Sequence, residues 1–68
     1  MKRYHIFRVW RGNPQHTVYV DTVWADTAQA AEHASRQHEN DDHYVEAMGD
    51  AAAKAQMTIS EQETAGII

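Results

Sequence analysis

Apolar and polar residues alternate along the first 24 positions, where β-branched and aromatic types form two runs. The first run, KRYHIFRVW (2–10), is followed by RGNPQ and then by HTVYVDTVW (16–24). Gly and Asn tolerate the backbone angles of turns, and a proline favours an extended conformation for the residue before it. The pattern therefore predicts two antiparallel strands joined by a loop over residues 11–15.

The simplest register of this hairpin pairs residues whose numbers add to 26, so that Phe7 lies opposite Tyr19. One side is then slightly more apolar, and we expect it to be the face packed in the core. That side carries Tyr4, Ile6, Arg8, Trp10, Val18, Val20 and Trp24. The opposite side carries Arg3, His5, Phe7, Val9, Thr17, Tyr19, Asp21 and Val23. The second side is expected to stay exposed, because the sequence predicts only one helix to cover the sheet.

A β-bulge near Asp21 and Thr22 is an alternative to this regular register. Side chains alternate between the two faces of a strand, so one extra residue reverses every later position. The bulge would place Val23 and Ala25 inside and Trp24 outside.

Residues 26–39 change to an alanine-rich pattern that is typical of a helix. Asp26 is a good N-cap, and Gln29 has the spacing of a capping box. The stripe predicted to face the sheet contains Thr27, Ala30, Ala31, Ala34 and His38, and the opposite stripe contains Ala28, Glu32, Ser35, Arg36 and Glu39. Small side chains on the packed stripe let the helix lie close to the large side chains of the sheet.

The second half of the chain is read as two further strands. HYVEAM (43–48) is one candidate, Gly49 and Asp50 mark a turn, and KAQMTIS (54–60) alternates apolar and polar residues. A helix over residues 43–56 competes with this interpretation. The sequence thus predicts an α+β fold, an antiparallel sheet of three to four strands with one helix packed on one face, in the order ββαββ. Residues 1–60 form the single domain, and residues 61–68 are predicted to be a flexible tail.

The length and composition limit how the domain is stabilised. The chain has 68 residues and no cysteine, so neither disulfides nor thiolate metal sites are available. A domain this small depends on its apolar core or on a partner, so a homodimer is one alternative. No stretch predicts a membrane span or a signal peptide, so a cytoplasmic protein is expected.

Charge is unevenly distributed along the chain, whose formal net charge is −4. Residues 1–24 carry four Lys and Arg against one Asp, whereas residues 25–68 carry two against nine Asp and Glu. Such asymmetry steers charged partners to one side of a protein. One alternative is that the acidic residues of the second half bind a basic surface of another protein. The commoner explanation of such residues is a solvated surface. The residues concerned are Glu32, Glu39, Asp41, Asp42 and Glu46.

Candidate chemistry is sparse. The chain has five histidines, but His33 and His38 are five residues apart and project about 140° from each other on a helix, unlike zinc ligands at i and i+4. There is no thiol, no nucleophile elbow around Ser35 or Ser60, and no glycine-rich phosphate loop. We therefore expect no metal site, no cofactor and no enzymatic activity.

The aromatic and basic hairpin is the most suggestive feature for binding. Phe7 and Tyr19 lie on the side expected to be exposed, flanked by Arg3, His5 and Arg11. These five residues are the predicted partner-binding residues, because exposed aromatics with arginine resemble the hot spots of protein interfaces. Aromatic side chains also stack on bases, and arginines bind phosphates. A small single-stranded RNA- or DNA-binding protein is therefore the alternative.

The layout of the chain resembles several anti-CRISPR families of phages and mobile elements. The resemblance rests on the order MKRYHIFRVW, loop, HTVYVDTVWA, DTAQAAEHA and HYVEAM, over roughly residues 1–60. It implies a non-enzymatic inhibitor that binds a host defence complex and occludes one of its sites. The partner is then a protein, the location is the host cytoplasm if the chain is encoded by a phage, and no functional residue is carried over from these families.

Overall fold

The structure, a computed structural model, describes all 68 residues and confirms a small α+β fold with an antiparallel sheet. The strands are β1 (Lys2–Trp10), β2 (Asn13–Ala25) and β3 (His43–Met48), and their order in the sheet is β2-β1-β3. The helices are α1 (Ala28–Ala34), α2 (Asp50–Lys54) and α3 (Ile59–Ala65), with a short 3₁₀ turn at Arg36–His38. The central strand, β1, is thus paired on both sides.

The predicted fourth strand over residues 54–60 is wrong, and so is the order ββαββ with one helix. Residues 50–54, DAAAK, form α2 because alanine and lysine favour the helix. Thr58 and Glu61 then form a capping box that begins α3, and Gly66 ends α3 in the left-handed conformation (φ 81°). The competing prediction of a helix over residues 43–56 is correct only in its second part, where α2 lies, because its first six residues form β3.

The C-terminal residues 61–68, predicted as a flexible tail, contain most of α3 in the structure. Gln62 and Ala65 are buried, and Ile67 packs against the same apolar cluster. The helix therefore covers part of the sheet.

The hairpin register follows the prediction from Phe7 to Val9 and departs from it on both sides. At the loop, Trp10 pairs with Asn13, because β2 begins at Asn13 and the predicted loop over residues 11–15 is shorter in the structure.

Phe7 pairs with Tyr19, but Ile6 pairs with Asp21, so Val20 is one extra residue on β2. This irregularity has the effect of the alternative bulge. Ala25 is buried in the core, whereas Trp24 lies outside with 63% of its surface exposed.

Helix α1 begins one residue later than predicted and presents a different stripe to the sheet. Thr27 is the N-cap, and its hydroxyl accepts a hydrogen bond from the Ala30 N–H. Ala31 and Ser35 are buried, whereas Ala30 and Ala34 are exposed. Ala31 is the only residue of the predicted stripe that is buried. It packs against larger sheet residues such as Ile6, because its small side chain lets the helix lie close to the sheet.

Helices cover both faces of the sheet, which corrects the expectation that one face stays exposed. Under α1 lies a cluster of Ile6, Ala25, Ala31 and Val45. Under α2 and α3 lies a second cluster of Phe7, Ala53, Met57 and Ala65. Successive residues of β1 therefore point into two separate cores.

Candidate functional site

Two of the predicted partner-binding residues are in the core. His5 and Phe7 have no exposed surface, because α2 and α3 lie over this face of the hairpin. Phe7 packs against Ala53, Met57 and Ala65. The expectation that these residues are exposed is therefore wrong.

Arg3, the third predicted residue, is engaged in an ion pair. Its Nη2 and Nε atoms donate to the Asp50 carboxylate at 2.7 and 3.1 Å, and its Nη1 donates to the Gly66 carbonyl at 3.0 Å. The guanidinium, and then the imidazole of His5, lower the pKa of Asp50 from 3.8 to about 2. The same hydrogen bonds to Asp50 raise the pKa of Arg3. Arg3 thus joins the start of β1 to both C-terminal helices.

His5 extends this ion pair into a network beneath the helices. Its Nε2 lies 2.6 Å from Asp50 Oδ1, and its Nδ1 lies 2.9 Å from the Thr22 hydroxyl. The Tyr19 hydroxyl lies 2.7 Å from the same Thr22 oxygen. Hydroxyl, imidazole and carboxylate follow one another as in nucleophilic catalytic sites, but here the imidazole is fully buried. Because both ring nitrogens have protein partners, the network links β1 and β2 to α2.

Tyr19 and Arg11 complete the predicted set. The Tyr19 ring packs edge-on against Phe7 with centroids 5.9 Å apart, as their predicted pairing requires, and it is only partly exposed. Arg11 is exposed in the hairpin loop, with its guanidinium carbon 5.3 Å from the centroid of the Tyr44 ring. The structure therefore brings four of the five residues together around α2 and α3 and leaves Arg11 apart from them.

One exposed apolar surface lies at the loop end of the hairpin. Trp10 and Val18 are 43% and 45% exposed. His16 is also exposed, and its ring lies edge-on to that of Trp10 with centroids 6.0 Å apart. We call Trp10, His16 and Val18 the hairpin-tip patch.

The patch is exposed because α1 is too short to cover it. Seven residues of helix span about 10 Å, whereas the nine residues of β1 span about 30 Å. The 3₁₀ turn extends the cover only as far as Arg8, whose Nε donates to the His38 carbonyl. The sequence placed Trp10 and Val18 in the core because their side of the hairpin is slightly more apolar, and the helix predicted over residues 26–39 was expected to cover that side.

The two edges of the sheet differ in protection. On β3, the outward N–H groups of Val45 and Ala47 donate to the carboxylates of Glu39 and Glu32 at 3.3 and 3.4 Å. These glutamates, predicted to lie on the solvent stripe, thus occupy the outer edge of the sheet. On β2, backbone N–H groups that donate to side chains do so only locally, as Thr22 N–H does to Asp21 Oδ1. The exposed strand beside the hairpin-tip patch is therefore the less protected edge.

No surface pocket is present, and no three His, Asp or Glu side chains lie close enough together to hold a metal ion. None of the helices has the length and apolar character needed to cross a bilayer. Comparisons with family models, curated proteins and solved structures found no match to this chain.

Proposed function

We propose that this protein is a non-enzymatic binding module for another protein and that the hairpin-tip patch is the centre of its contact surface. The observation that carries the proposal is the exposure of Trp10 and Val18 side by side with His16. Tryptophan is among the residues most enriched in interface hot spots, and exposed apolar patches mark interaction sites.

The surroundings of the patch fit the rim of an interface. Arg11 lies in the adjoining loop, and the unprotected edge of β2 runs past Val18. A standard interface covers roughly 800 Å² per partner. That is about a fifth of the 4404 Å² surface of this chain, so the interface would extend from the hairpin-tip patch onto the loop and the edge of β2.

The partner class we propose is a component of a host defence complex, which the chain would inhibit by occluding a site. This step rests on the resemblance of the chain layout to anti-CRISPR families. A small domain with an exposed aromatic tip is suited to that mode of action, since occlusion needs a contact surface and no chemistry.

The test is capture from bacterial lysate by the immobilised protein, with and without nuclease. The native protein should capture a protein partner even after nuclease treatment. Trp10→Ala should no longer capture it, because the substitution removes the largest exposed side chain of the patch. Ile59→Ala is the matched control, since Ile59 is an exposed apolar residue on α3, away from the patch.

The proposed surface would be contradicted if both variants lost the captured protein equally, or if neither variant lost it. Capture that disappears on nuclease treatment would instead identify a nucleic-acid-binding protein, whose binding should also weaken steeply with added salt.

A further inference from the structure

The C-terminal helices are held on the sheet by very few polar contacts. Every hydrogen bond between residues 50–68 and residues 1–48 comes from Arg3 or His5. Three of the four end on the Asp50 carboxylate, and the fourth ends on the Gly66 carbonyl. A single side chain on α2 therefore carries most of the polar attachment.

The helices have little stability of their own. α2 has five residues and α3 has seven, well below the length at which an isolated helix persists in water. Gln62 on α3 also leaves its Oε1 atom buried without a hydrogen-bond partner, which costs free energy in the packed state. The pair depends on its contact with Phe7 and on Asp50.

The rest of the molecule has a separate core. The cluster under α1 shares no buried residue with the cluster under α2 and α3, since the two lie on opposite faces of the sheet. Segments with few attachments open at lower free energy than the whole domain unfolds. Losing the second cluster leaves the contacts of the first in place.

A suitable hinge joins the pair to β3. Gly49 lies between Met48 and Asp50 in an extended conformation (φ −70°, ψ 174°), and no atom lies within 4 Å of the position a Cβ would take. Rotation at Gly49 meets no side-chain obstacle there. We propose that α2 and α3 open together about Gly49 while the sheet and α1 stay folded, and that Asp50 holds them closed.

This conformational change goes beyond the proposed binding through the hairpin tip. Opening exposes Phe7 and the ring of Tyr19, which α2 and α3 otherwise cover. Phe7, which the sequence predicts for binding, is then accessible only in the open state, and the exposure of Tyr19 increases.

Thiol labelling at two matched positions tests the proposal. The chain has no cysteine, and Ala53 on α2 and Ala31 on α1 are both fully buried alanines. Ala53→Cys should be labelled at least about tenfold faster than Ala31→Cys, after each rate is divided by that of the same variant unfolded in denaturant.

Two substitutions shift the opening in opposite directions. Asp50→Asn should speed labelling at position 53 about tenfold and leave position 31 unchanged, because it weakens the charged hydrogen bonds of Arg3 and His5. Gly49→Pro suits the observed φ of −70° and should slow labelling at position 53 about two- to fivefold.

Equal normalised rates at the two positions would show that the domain opens as one unit and would overturn the proposal. The same holds if Asp50→Asn accelerates both positions alike. Should Asp50→Asn fail to fold, Gly49→Pro decides, since an unchanged rate at position 53 in that variant refutes the hinge.

Discussion

Replacing Phe7 by alanine tests the central packing contact of the C-terminal helices. Phe7 is fully buried and touches Ala53, Met57 and Ala65, and the edge of its ring packs against Tyr19. Two of these neighbours are alanines, which have no side chain long enough to fill the space that the ring leaves. The substitution therefore creates a cavity beneath α2 and α3.

The expected cost follows from the size of the lost side chain. Replacement of a buried phenylalanine by alanine destabilises the folded state by about 3–5 kcal/mol. A domain of 68 residues has a total stability of roughly 3–10 kcal/mol at typical values per residue. Phe7→Ala should thus remove a large part of the free energy of unfolding. The contacts of α2 and α3 with the sheet are weakened first.

Urea unfolding followed by far-UV circular dichroism measures this effect, because α2 and α3, with five and seven residues, supply more of the helical signal than the seven residues of α1. Trp24→Ala is the control. It removes a larger side chain that is mostly exposed, so its effect should stay within about 0.5 kcal/mol. A cost below about 1 kcal/mol for Phe7→Ala would refute the reasoning, since it would mean that the ring is not packed beneath the helices.

Three further predictions concern acid, capping and metal. The folded-state pKa of Asp50 is about 2 and its ordinary value is 3.8, so its stabilisation is complete above pH 4 and is lost as the pH falls towards 2. Because half of this side chain is exposed, we expect a loss of about 1 kcal/mol, which acid titration of unfolding should find in the native protein and not in Asp50→Asn. Thr58→Ala removes the N-cap of α3 and should cost about 1 kcal/mol in urea unfolding, whereas Thr64→Ala on the same helix should cost less. Stoichiometric zinc should leave Tm unchanged, because no three potential ligands converge, and a saturable rise would contradict this.

The hairpin is the part of the fold that the sequence predicts best. Gly12, Asn13 and Pro14 separate two β-rich runs, and the resulting pairing of Phe7 with Tyr19 is confirmed. The extra residue at Val20 could be considered only as an alternative, because nothing local in the sequence marks a bulge there.

The orientation of α1 could not be deduced from its composition. Alanines at positions 28, 30, 31 and 34 lie all around the helix, so hydrophobicity does not distinguish the packed side. In the structure Ala31 faces the core, and Glu32 lies at the outer edge of β3, where it accepts the Ala47 N–H. These contacts join residues far apart in sequence, so no local pattern reveals them.

The second covered face was missed although the sequence contains a signal for it. Thr58 and Glu61 have the spacing of a capping box, which indicates the start of a helix. The alternation of Ala55, Met57 and Ile59 outweighed that signal and predicted a strand. Without α2 and α3 the opposite face of the hairpin had no cover, and the binding site was therefore placed on residues that are in the core.

The most direct test of the proposed contact surface is photo-crosslinking in nuclease-treated lysate. A photoreactive phenylalanine analogue is placed at position 10 in the hairpin-tip patch, and in a separate variant at position 59 on α3, where the side chain is also exposed. We expect position 10 to form a discrete covalent adduct with a protein, and position 59 to form none. An adduct from position 59 alone, equal adducts from both positions, or none from position 10 would contradict the assignment of the hairpin tip as the binding surface.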